Sequence, residues 1–116
     1  SKCPKSIVKY IDCLKSSQNF YLIMEDGGSS LFSFIQKVHS IIQAGNLEIS
    51  HWMEVCKIIF KQMIECIEYI HSKNICHMDI SLENWVINDC KICESDNRKY
   101  IEFMGDDVQI KLCDFG

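Results

Sequence analysis

Two runs rich in β-branched and aromatic residues lie near the start of the chain, SIVKYIDCL (Ser6 to Leu14) and NFYLIMED (Asn19 to Asp26), with polar KSSQ between them. Such side chains suit a pleated surface and the polar break supplies a turn, so the pattern predicts an antiparallel hairpin. GGSS then interrupts it, and Leu31, Phe34, Ile35, Val38, Ile41 and Ile42 follow at helical spacing. This predicts an amphipathic helix. Ser30 offers a capping hydroxyl at its start, and Gly45 tolerates the left-handed turn that ends it.

A longer helix is predicted after Ser50, where Trp52, Val55, Cys56, Ile59, Phe60, Met63, Cys66, Ile67 and Ile70 form one stripe. Its breadth implies a central place in the core. Lys61 and Glu65 stand four apart for an ion pair. WVIN (Trp85 to Asn88) and VQIKLC (Val108 to Cys113) read as two short strands of one hairpin, with a turn signal at GDD (Gly105 to Asp107). The intervening DCKICESDNRKYIEFM mixes charge with partial alternation, so it either extends that hairpin or stays mobile.

Composition narrows the classes. With 47% apolar and 24% charged residues the chain is an ordinary globular unit rather than a disordered one. A net charge of -4 and a pI near 5.5 argue against a nucleic-acid binder, which needs clustered Lys and Arg. No apolar run approaches the roughly 18 to 20 residues of a membrane span. The eight cysteines lie mostly inside apolar segments, which suits small buried thiols, and the expectation is a reduced, intracellular protein of the cytoplasm or nucleus.

The chemistry concentrates in HMDISLENW (His77 to Trp85) and in CDFG (Cys113 to Gly116). Asp79 follows the long helix, Asn84 starts a strand, and Asp114 follows the partner strand, so the three side chains are expected to converge. A carboxylate and a carboxamide are hard oxygen donors that suit Mg²⁺, a cation that commonly takes its remaining ligands from water and phosphate. Asp79 is then left to orient a nucleophile. Taken singly, each of the three is an ordinary turn residue; only the constellation carries the reading.

HMDISLEN resembles the H-R-D-x-x-x-x-N catalytic loop of eukaryotic protein kinases, and DFG resembles their metal-binding motif. NFYLIMEDGGSSLFSFI looks like the strand, hinge and following helix of that family, and IECIEYIHSKNICHMD looks like its approach to the catalytic loop. The resemblance implies an α+β, partial protein kinase-like fold: the end of the N-lobe at residues 1–24, the hinge at 25–30, and a mainly helical C-lobe portion with a short β-hairpin at 31–116. It implies that Asp79 orients the substrate hydroxyl and accepts its proton, that Asn84 and Asp114 hold Mg²⁺ on the ATP phosphates, and that Phe115 and Gly116 shape the turn. Met24 becomes the gatekeeper of the adenine pocket, with Glu25 and Gly27 offering backbone contacts to ATP and Ser81 lying near the transferred phosphate. The implied partners are ATP and a protein substrate with a Ser/Thr hydroxyl.

Some positions depart from the pattern. Met78 replaces the arginine that pairs with a phosphorylated activation loop, and Ser81 stands where Ser/Thr kinases usually carry a lysine. The stretch from Asn84 to Asp114 is longer than usual. Cys90 and Cys93 form a single C-x-x-C there without a second pair, which favours ordinary thiols over a zinc site. The 116 residues contain neither a glycine-rich phosphate loop nor a strand lysine, so the expectation is a kinase fragment that is inactive by itself. Pseudokinase scaffold, small-molecule kinase and helical binding module are the competing readings.

Overall fold

A computed structural model describes residues 5–24, 28–74, 81–105 and 108–113. Strands β1 (Tyr10–Lys15) and β2 (Phe20–Met24) form the expected antiparallel hairpin, with Lys15 opposite Phe20 and Tyr10 opposite Met24. The Ser16 N–H donates to the Asn19 carbonyl at 2.8 Å and closes the turn. Both faces of this ribbon are exposed, Phe20 at 71% and Leu22 at 64%. A lone two-stranded ribbon is marginal in water, so its apolar side chains mark surface that needs covering.

Helix α1 (Leu31–Gln43) begins where predicted, with the Ser30 hydroxyl accepting from the Ser33 N–H at 3.4 Å. It ends as predicted too: Gly45 has φ +77°, its N–H donates to Ile42, and the Asn46 N–H donates to Ile41. Leu31, Phe34, Val38 and Ile41 are buried at spacings of three and four, and Ile35 and Ile42 pack at the margin. Helix α2 (Ile49–Ser72) buries Val55, Ile59, Cys66 and Ile70. Its buried arc is narrower than the sequence stripe, because Phe60 is 62% exposed. The ion pair on α2 among the described residues joins Lys57 to Glu54 at 3.3 Å rather than Lys61 to Glu65.

Three further strands make a small sheet that sequence periodicity only half revealed. β4 (Trp85–Ile87) pairs antiparallel with β7 (Ile110–Leu112), Trp85 opposite Leu112 and Ile87 opposite Ile110. On the other edge of β4 lies β3 (Ser29–Ser30), formed from the stretch read as a break, with Ser29 opposite Ile87 and Ser30 opposite Val86. Trp85, Ile87, Ile110 and Leu112 are buried with the apolar faces of α1 and α2 in one core. The architecture is α+β, with more strand in the helical region than the single expected hairpin.

The excess chain between β4 and β7 folds as a second hairpin, β5 (Cys90–Ser95) and β6 (Arg98–Phe103). Asp96 and Asn97 both take positive φ, 52° and 64°, the conformation that a two-residue primed turn requires. The outer edge of β6 is tied to the connection between α1 and α2. The Lys99 N–H donates to the Asn46 carbonyl at 2.8 Å, the Ile101 N–H donates to His51 Nε2 at 2.9 Å, and Arg98 bonds Glu48 at 2.6 Å. His51→Ala strands the N–H of buried Ile101, which costs about 1–3 kcal/mol. The expected result is faster amide hydrogen exchange at Ile101 and Lys99, with α1 protected as before.

Candidate functional site

The described part of the site is built on Asn84. A single 3-10 turn (Leu82–Asn84) starts at Ser81, and the Asn84 N–H donates to the Ser81 carbonyl at 3.0 Å. Trp85 comes next and is fully buried in β4, so the residue that carries the carboxamide is anchored on its C-terminal side by core packing. Among the described residues the indole N–H of Trp85 has no hydrogen-bond partner, so its side chain is held there by packing.

The Asn84 carbonyl accepts from the Cys113 N–H at 2.9 Å and from the Cys113 thiol at 3.1 Å. Cys113 directly precedes Asp114, so the backbone of Asn84 is bonded to the residue that leads into DFG. The ladder Trp85 to Leu112 continues this pairing into the sheet. Two segments almost thirty residues apart are therefore fixed side by side at the end of the β4–β7 pair. Asp79, Asp114, Glu25 and Gly27 lie outside the described residues, as do His77, Met78, Phe115 and Gly116. Ser81 is half-buried beside the turn, and Met24 ends β2 with 47% of its surface exposed.

Three structural residues escaped the sequence reading. Gly28 precedes β3 with φ +104°, and a Cβ there would stand 2.1 Å from the Ile87 carbonyl oxygen. Gln62, on α2, accepts at Oε1 from the N–H groups of Gln109 and Ile110, both at 3.0 Å, and donates from Nε2 to Gln109 Oε1 at 2.8 Å. His51 is the third, as an acceptor for β6. The signals were faint: a glycine pair before two serines, and single polar residues in a helix read for its apolar stripe.

Other clusters do not compete for this role. Cys90 and Cys93 sit three apart on a strand, where odd spacing points side chains to opposite faces. Cys90 packs against the core, whereas the Cys93 thiol meets Glu102 Oε2 at 3.4 Å on the outer face. They cannot share a tetrahedral metal. Burial pushes the Cys90 thiol up to about 11 from 9.0, so it is a neutral thiol at physiological pH. The folded state holds that proton more tightly than the unfolded chain, so this contribution to stability is intact below pH 9 and is lost as pH rises toward 11. The expected result is an alkaline fall in melting temperature over that range which is smaller in Cys90→Ala. An open cleft of about 240 Å³ lined by Glu48, His51, Arg98, Lys99 and Tyr100 includes none of the predicted site residues. Among the described residues no group of three or more His, Cys, Asp or Glu is placed to hold a metal.

Comparison with known proteins bears directly on the motif-bearing strands. The model for the protein kinase domain matches residues 2–116. The chain is 31% identical over 113 residues to the PAS domain-containing serine/threonine-protein kinase of Mus musculus, covering 96% of this chain and 6% of that protein. It is 32% identical over 99 residues to extracellular signal-regulated kinase 7 of Drosophila melanogaster, covering 82% of this chain and 10% of that protein. It is 30% identical over 112 residues to calcium-dependent protein kinase 3 of Plasmodium yoelii yoelii, covering 96% of this chain and 16% of that protein. The chain thus spans a sixth or less of the length of each of these relatives. With the family model matched along nearly its whole length, the chain belongs to the protein kinase domain family.

Proposed function

We propose that the chain is the part of a protein kinase that runs from the end of the N-lobe through the metal-binding turn, and that the full-length protein transfers the γ-phosphate of ATP to a Ser/Thr hydroxyl of a protein. The observation that carries this reading is the bond between Asn84 and Cys113, which joins the end of H-x-D-x-x-x-x-N to the start of DFG. The name of one relative, the PAS domain-containing serine/threonine-protein kinase, supports the Ser/Thr assignment.

The donor set fits magnesium, since the Asn84 carboxamide and the Asp114 carboxylate are both hard oxygen ligands. When bound, Mg²⁺ neutralises phosphate charge. The chain's own residues do the rest by placement: Asn84 and Asp114 hold the metal side, Asp79 aligns the hydroxyl and takes its proton, and Met24, Glu25 and Gly27 border the adenine. Positioning and charge stabilisation dominate phosphoryl transfer, so a fixed backbone link between two ligand-bearing segments is the feature it needs. The 116 residues alone are not expected to catalyse, because they hold no glycine-rich loop and no strand lysine.

A second reading, a nucleotide-binding scaffold without transferase activity, is favoured by Ser81, which withholds a positive charge from the transferred phosphate. A radiolabelled-ATP assay on the full-length protein and on Asp79→Asn separates the two. Activity that vanishes with the substitution supports the enzyme. Met78 adds an expected result: without the arginine that receives a phosphorylated activation loop, phosphatase treatment leaves activity largely unchanged. Strong activation by phosphorylation that is abolished by mutating Met78 contradicts it.

A further inference from the structure

We infer that Gln62 is a positioning residue for the metal-binding turn, acting through β7 on Asp114. This rests on the kinase reading above. Gln62 lies on α2, whose C-terminal end leads toward Asp79, and its amide grips the chain where β7 begins, four residues before Asp114. One carbonyl oxygen receives two consecutive backbone N–H groups, from Gln109 and Ile110, while the amide nitrogen donates to the Gln109 side chain.

Gln109 is the buried polar residue of the described core, 4% exposed, and its carbonyl accepts from the Asn88 N–H at 2.9 Å. The grip therefore continues from α2 through β7 into the end of β4. At the other end of the same ladder the Asn84 carbonyl holds Cys113. Strand β7 is thus pinned at both ends, by Gln62 before it and by Asn84 after it. Only three residues of ladder lie between the pins, so a slip or rotation at Gln109 is transmitted to Cys113 and then to Asp114. The other edge of β7 is bonded as well, the Leu112 N–H donating to the Ser6 carbonyl at 2.8 Å and the Val8 N–H to the Leu112 carbonyl at 3.0 Å, but none of these bonds reaches α2, whereas those of Gln62 do. Gln62 supplies the tie from α2 to the start of β7, and so couples that helix to the strand that leads into Asp114.

The test compares Gln62→Leu, Gln62→Glu and the core variant Val55→Ala in the full-length protein, reading melting temperature and the Mg²⁺ concentration for half-maximal phosphotransfer. Gln62→Leu is expected to raise the Mg²⁺ requirement about 10-fold, the usual scale for losing a residue that orients a metal ligand. Gln62→Glu keeps an acceptor for both N–H groups, and a flip of the Gln109 amide restores the third bond, so near-normal Mg²⁺ dependence is expected. Val55→Ala lowers the melting temperature without altering the Mg²⁺ requirement. If Gln62→Leu does not accumulate as folded protein, Gln62→Asn, one methylene too short, takes its place. An unchanged Mg²⁺ requirement in the Leu or Asn variant overturns the inference while leaving the kinase reading intact. A full-length protein in which Asp114→Asn retains full activity overturns the kinase reading itself.

Discussion

Gly28→Ala is expected to destabilise the sheet beside the site by roughly 3–5 kcal/mol, among the large effects of a single substitution. Two causes combine. The backbone sits at φ +104°, a region that L side chains rarely adopt, and the added methyl would stand 2.1 Å from the Ile87 carbonyl oxygen and 2.8 Å from its carbon. Neither atom belongs to a flexible side chain that can swing away, so β3 or β4 must move. Ser29 is paired with Ile87, and Ser30 both pairs with Val86 and caps α1, which couples the strain to the helix start. Urea unfolding checks the magnitude. An alanine variant with wild-type midpoint contradicts the close approach, whereas Gly45→Ala, with open space around its Cβ, is expected to cost only the smaller penalty of a positive φ.

How far the sequence disclosed this fold depended on what each segment offers. Helix α1 was legible in full because its stripe, its serine cap and its glycine stop all agree. Helix α2 was legible in extent but not in breadth. Periodicity shows which residues share a face, yet the width that becomes buried is set by partners, and Phe60 of the predicted stripe remains exposed. Strand β3 could not be seen, since Ser29 and Ser30 carry no β pattern and pair only because β4 offers an edge. The pattern of the insertion suits either an extension of the β4–β7 hairpin or a mobile stretch, and the structure instead folds it as a hairpin of its own, turning at Asp96-Asn97.

The motifs behind the proposed chemistry stand out in the sequence for a different reason. Phosphoryl transfer needs particular residue types at fixed spacing, so HMDISLEN and DFG stand out whatever the surrounding propensities. The supports that hold such residues have no such constraint. A glutamine accepting two N–H groups, or a histidine accepting one, is recognised only once the strands it serves are in place.

Substituting Asp79 by asparagine in the full-length protein is expected to lower kcat by about 10²- to 10⁴-fold, the range for losing a positioned proton acceptor. The two side chains are nearly equal in volume, so the loop's packing is kept. On the proposed reading, what disappears is the negative charge that would align the attacking hydroxyl and take its proton as the phosphoryl group is captured. The KM for ATP is expected to change little, because the metal is assigned to Asn84 and Asp114 and the adenine to the hinge. Asn84→Ala should reverse the split, raising the Mg²⁺ requirement first. The contrast separates enzyme from scaffold: a scaffold binds nucleotide equally well with either residue at position 79 and shows no turnover to lose. Turnover within twofold of wild type in Asp79→Asn would mean that the proton leaves by another route, and the role assigned to this aspartate would have to be abandoned.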